Sequence, residues 1–224
     1  MSLLKRISFL AVVVLLGSLA ATAGTISLTP GPSSGSCPTQ SWGCETTGAA
    51  TFGDGWSVTS GNVDFVNSTW WTWLGSGNTA IDLSGSQLGS IATTLTGLTI
   101  GQSYTLTFLY TYNPDDSAGV RSANVSMTNA GGFSYTLGPL VNTTSGGAGP
   151  LSQNPGWSTF SQTFTATATT STLSFSALTN QYQSIVLGSS VTYTQNASAV
   201  PEPATLAIVG AGLVLIGLKR YRRA

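Results

Sequence analysis

Ser103-Tyr104-Thr105-Leu106-Thr107-Phe108-Leu109-Tyr110-Thr111-Tyr112 is the stretch that decides the fold. Tyr104, Leu106, Phe108, Tyr110 and Tyr112 fall on one side of an extended chain, and Thr105, Thr107 and Thr111 on the other, with Leu109 the exception. Period-two alternation of aromatic and β-branched residues describes a half-buried strand with one face on a core. Shorter runs of the same kind occupy 56–59, 63–66, 70–74, 79–83, 90–95, 123–128, 133–137, 157–166, 172–177 and 184–194. Ser60-Gly61-Asn62, Gly75-Ser76-Gly77-Asn78, Gly101-Gln102, Asn113-Pro114-Asp115-Asp116 and Gly131-Gly132 punctuate them as turns. No window between the termini carries a helical stripe. Many short strands at regular spacing predict an all-β, antiparallel sandwich or jelly roll, with Pro139 to Pro155 as its one long loop.

The two ends of the chain read differently. Lys5 and Arg6 precede an apolar run from Ile7 to Leu19 and the small residues Ala21-Thr22-Ala23. This is the pattern of a secretory signal peptide over 1–23, cut before Gly24 and implying passage through the Sec translocon. At the other end, Val200-Pro201-Glu202-Pro203 is followed by an apolar run from Ala204 to Leu218 and then Lys219, Arg220, Arg222 and Arg223. The prolines hold their segment out of helix and sheet. As a helix, the fifteen-residue run rises about 22 Å, short of a hydrocarbon core of about 30 Å. Snorkelling basic side chains extend its reach and keep their flank cytoplasmic. Residues 24–199 form one β-sandwich domain on the far side of the membrane, and 200–224 the tail.

Removing both ends leaves Arg121 against Glu45, Asp54, Asp64, Asp82, Asp115 and Asp116, a net charge of −5. Such a surface cannot neutralise phosphates, so nucleic acid is excluded as a partner. Cys37 and Cys44 are the only cysteines, and in an exported chain they are expected to form a local disulfide. A loop this short contributes roughly 2 kcal/mol in the chain-entropy account. With no histidine in the chain, no metal centre or nucleophile–base pair is expected.

The tail resembles the PEP-CTERM protein-sorting signal in all three parts and their order. That resemblance implies export, a transient hold in the inner membrane, and processing near Pro201-Glu202-Pro203 by an exosortase-like enzyme. The protein would then reside at the cell surface or in the extracellular matrix. The middle region from Gly55 to Thr194 is similar to the bacterial choice-of-anchor C family, itself similar to plant cell-wall proteins with galactose-binding-like β-sandwiches. The similarity lies in the order of Gly55 to Asp64, Trp70-Trp71, Ala80 to Gly85, Gly101 to Phe108, Asn113-Pro114-Asp115, Trp157 to Thr165 and Thr172 to Phe175. Two family features are missing: Cys37 to Cys44 replaces an opening strand, and Ser184 to Ser189 lacks a late acidic residue.

Trp70, Trp71 and Trp73 lie within four positions. On a strand, Trp71 and Trp73 share a face opposite Trp70, so one face is outer. Exposed indoles stack on sugar rings and, with Thr69, Thr72, Ser76 and Asn78 nearby, form the candidate glycan-binding residues. Asp54, Asp64 and Asp82 are the acids that could pair as in a glycosidase, although capping turns is their ordinary role. Asp115 and Asp116 could hold a structural calcium, or sit in a solvated turn. The expected function is a non-catalytic, exopolysaccharide-associated surface protein, with no catalytic residues and no cofactor. A glycan hydrolase and a passive coat component are the alternatives.

Overall fold

The computed structural model describes residues 23–28, 43–47, 51–114, 118–143, 154–179 and 184–197. Ala21, Cys37, Asp115, Asp116, the Val200 to Pro203 motif and the apolar run 204–218 lie outside them, as does the side chain of Cys44. Among the described residues, no helix is long and apolar enough to cross a membrane.

Among the described residues, thirteen strands form two antiparallel sheets. In chain order they are β1 (Ala23–Ser27), β2 (Gly43–Thr47), β3 (Thr51–Phe52), β4 (Trp56–Ser60), β5 (Asn62–Asn67), β6 (Thr79–Asp82), β7 (Ser90–Leu95), β8 (Ser103–Tyr112), β9 (Gly119–Met127), β10 (Ser134–Asn142), β11 (Ser158–Thr165), β12 (Ser171–Ala177) and β13 (Ile185–Gln195). One sheet runs β11-β8-β13-β6-β5-β2, with β1 also on β13; the other runs β10-β9-β12-β7-β4-β3. The expected sandwich is thus observed.

Alternation in β8 is what the packing uses. Tyr104, Leu106 and Phe108 are buried, while Leu109 points outward and is 43% exposed. Phe108 meets Phe175 of β12 edge-on at 4.9 Å, and Phe175 lies 5.7 Å from Trp56 of β4, so aromatic contacts tie the sheets together through the core. Gly61 is the single residue between β4 and β5, where the chain passes from one sheet to the other. It has φ +58°, and a Cβ there would fall 2.0 Å from the Leu88 carbonyl oxygen. Only glycine meets both demands.

The structure corrects the expectations in three places. Trp70 to Leu74 is not a strand: a turn leads into a 3-10 helix over Thr72–Leu74. Asn67 causes this, its Oδ1 accepting from the amides of Thr69 (2.9 Å) and Trp70 (3.2 Å) and diverting the chain from the sheet. The long loop begins later than Pro139, because β10 absorbs that residue through a register shift between Leu137 and Leu140 and pairs with β9 as far as Asn142. Finally, β1, β2 and β3 are strands that the hydrophobic pattern did not announce.

Candidate functional site

The seven-stranded sheet has an inner face on the core and an outer face of mixed character. On β5, Val63 and Phe65 are inward, leaving Asp64 and Val66 outward; on β6, Ile81 is inward and Ala80 and Asp82 outward; on β13, Ile185 and Leu187 are inward and Val186 outward. Cross-strand pairing sets these outward residues in rows. One row runs Asp64, Asp82, Val186, Thr111, and the next begins Val66, Ala80.

The apolar half of this face carries the tryptophans. Val66, Trp71, Ala80 and Val186 form a buried cluster separate from the main core, with Trp70, Trp73, Leu74 and Trp157 packed on it half-buried. Trp73 stacks on Trp71 at 5.6 Å with 24° between planes, and Trp157 tilts against Trp73 at 5.5 Å. Small residues beneath make room for the rings. A Cβ on Gly188 of β13 would meet Leu109 at 3.2 Å and Trp157 at 4.0 Å. Of the three candidate glycan-binding residues, Trp70 and Trp73 remain partly accessible, whereas Trp71 is 0% exposed and is the support beneath Trp73. Shape explains the difference: the 3-10 turn folds Trp71 under and raises Trp73, where a strand would have kept them side by side. Trp157, far away in sequence, joins this cluster, a grouping that the sequence pattern did not show.

The polar half surrounds Asp82, which is 1% exposed. Its Oδ1 accepts from the amides of Ser84 and Ser184, both at 3.2 Å, and its Oδ2 accepts from Asn113 Nδ2 at 2.5 Å. Burial, reinforced by Asp64 directly opposite on β5, holds the Asp82 carboxyl well above the usual aspartate range, although its three hydrogen bonds pull the other way. Arg121, on β9, is also fully buried, and burial lowers its guanidinium from the ordinary value while the charge of Asp82 opposes that shift. Asn62, two residues before Asp64 on β5, accepts through its Oδ1 from the Gln87 amide at 2.9 Å and donates through its Nδ2 to Ser86 Oγ at 2.6 Å.

Two of the three acids considered for a glycosidase pair therefore meet, Asp64 with Asp82. Asp54 lies elsewhere and accepts the Ser27 amide at 2.7 Å. Asp82 is sealed, its oxygens accepting from the Ser84 and Ser184 amides and from the Asn113 side chain. Among the described residues, no three of His, Cys, Asp and Glu gather as metal ligands.

The surface geometry of this face is joined by sequence comparison. Residues 199–223 match the PEP-CTERM protein-sorting motif. The halomucin of Haloquadratum walsbyi is 35% identical over 130 residues, covering 56% of this chain; the chain spans 1% of that relative's length. Similar solved structures include TmCBM61 in complex with β-1,4-galactotriose (11% identity, TM-score 0.40, 63% of this chain and 87% of that one). Another is the CBM22-1–GH10 portion of Clostridium thermocellum xylanase 10B complexed with xylohexaose (13% identity, TM-score 0.40, 65% and 27%). Residues 33–188 match the model described as "Protein of unknown function (DUF642)", more than half of the chain, and the protein belongs to that family.

Proposed function

We propose that this is an exported surface or matrix protein that holds polysaccharide, without cleaving it, on the outer face of its seven-stranded sheet. The observation that carries the reading is the set of partly exposed indoles Trp70, Trp73 and Trp157 packed on the outer face of the sheet beside the partly exposed Asp64. Indole faces bind the C–H faces of pyranose rings, and a neighbouring carboxylate accepts from sugar hydroxyls. A platform on strands and a short 3-10 turn is already ordered before binding, which limits the entropy lost on association.

Affinity electrophoresis of the full chain through gels containing galactan, xylan or bacterial exopolysaccharide tests this. Retardation is expected in at least one gel, with Trp73→Ala and Trp157→Ala each weakening it about tenfold, roughly 1.4 kcal/mol per ring. Unchanged retardation in both folded variants would remove the platform as the site. Release of reducing ends would favour the hydrolase instead, and no retardation in any gel the passive coat component.

The sorting motif supports the remainder of the reading: export, a hold in the inner membrane through 204–218, and cleavage near Pro201-Glu202-Pro203 by an exosortase-like enzyme. Mass spectrometry of the exported protein is expected to recover a C-terminus upstream of Ala204. An intact Arg222-Arg223-Ala224 end in that fraction would show that the tail is retained.

A further inference from the structure

The four outermost strands that end the two sheet paths, β11, β2, β10 and β3, are not equally protected against pairing with another chain. The strand β10 is interrupted by Pro139, which has no amide hydrogen to offer, and by its register shift. The strand β2 is five residues long and β3 two. These are the usual ways an edge is blunted. By contrast β11, Ser158-Thr159-Phe160-Ser161-Gln162-Thr163-Phe164-Thr165, is eight residues long, with no charge and no proline. It pairs with β8 through eight consecutive positions without a bulge, and among the described residues its other edge has no strand beside it.

We infer that β11 is a self-association edge, on which β11 of a second copy of this chain pairs antiparallel across a two-fold axis at Gln162. Side-chain parity selects the register. Phe160 and Phe164 point inward and are 8% and 4% exposed, while Thr159, Ser161, Thr163 and Thr165 are exposed on the opposite side. A sheet continuous across the axis keeps inward residues opposite inward ones. With Gln162 on the axis, Phe160 faces the partner's Phe164, Thr159 the partner's Thr165, and Ser161 the partner's Thr163. Each of these three pairs flanking the axis is aromatic with aromatic or hydroxyl with hydroxyl, the combinations favoured across antiparallel strands. The two glutamines on the axis can exchange amide hydrogen bonds. A strand with no charge to select a different partner, and complementary to itself in one register, suits an isologous contact. Among the described residues, a cleft of about 230 Å³ lies between β10 and the end of β11, lined by Phe133, Tyr135, Thr163, Phe164 and Thr165.

The association uses the backbone edge of residues 159–165, whereas the indoles of the glycan platform, Trp157 just before β11 included, lie on the outer face of the sheet. Sedimentation of the full chain in nonionic detergent is expected to show a dimer. Gln162→Lys, which places two ammonium groups face to face on the axis, is expected to raise the dissociation constant at least tenfold with an unchanged circular dichroism spectrum. Gln162→Cys is expected to give a disulfide-linked dimer on a non-reducing gel, beyond any seen for the parent or for Thr94→Cys on the exposed side of β7. Monomer at every concentration, a dimer indifferent to Gln162→Lys, or equal cross-linking of the two cysteine variants would overturn the inference.

Discussion

Replacing Trp71 by alanine is expected to cost about 3–5 kcal/mol of folding stability, the range for truncating a buried aromatic. Trp71 is 0% exposed and is the largest member of the outer-face cluster with Val66, Ala80 and Val186. It is held by a backbone that cannot close around a void, because the 3-10 turn above it is pinned by its own hydrogen bonds, Leu74 N to Trp71 O at 2.9 Å among them. A cavity of indole size would therefore persist. Domains of this kind have about 5–15 kcal/mol in total, so urea-induced unfolding should shift far toward lower denaturant. The same substitution removes the ring on which Trp73 stacks, so polysaccharide retardation should fall even at temperatures where the variant is folded. Trp70→Ala, at a half-buried site, should cost much less. If Trp71→Ala unfolds at the parent's urea midpoint, the cluster is not the rigid support described above.

How much of this was legible in the sequence depends on how local the determining interactions are. The β8 alternation and the turns around Gly61, Gly101 and Gly131 are local, and the sandwich follows from them. By contrast β1 and β2 are short edge segments whose pairing to β13 and β5 is supplied by partners far along the chain. Their own residues, Ala-Gly-Thr-Ile-Ser and Gly-Cys-Glu-Thr-Thr, have no distinguishing period. Trp70 to Leu74 misled because aromatic and threonine residues are good strand formers; the signal against a strand was Asn67-Ser68-Thr69, an Asx turn before the first indole. The grouping of Trp157 with Trp73, and of Asp82 with Asn113 and Ser184, joins positions 84, 31 and 102 residues apart. No spacing rule reaches that far. One reading of the acids does carry over in form: Asp82 satisfies backbone amides, as the ordinary role of aspartate in such chains suggests.

Asp82 also sets the second large effect, a dependence of stability on pH that runs opposite to that of an ordinary salt-bridged aspartate. Burial and the facing Asp64 raise its folded-state pKa above that of the unfolded chain. Between those two values the native state holds a proton that the unfolded state has released, so stability falls as pH rises through the window and the loss is complete above the folded value. Asp82→Asn keeps an oxygen for the Ser84 and Ser184 amides and removes the charge. Its stability should be less sensitive to pH, and in urea unfolding the parent-minus-variant difference should decline as pH rises above the ordinary aspartate range. Using the difference cancels the contribution of the other carboxylates. Asp82→Ala behaves differently, because it leaves two buried amides and the Asn113 side chain without their acceptor, at about 1–3 kcal/mol for each. It should be strongly destabilised at every pH. The two variants separate charge from hydrogen bonding: a parent-minus-Asn difference that is flat or rises with pH would mean that Asp82 is ionised in the fold, its hydrogen bonds and the charge of Arg121 outweighing burial.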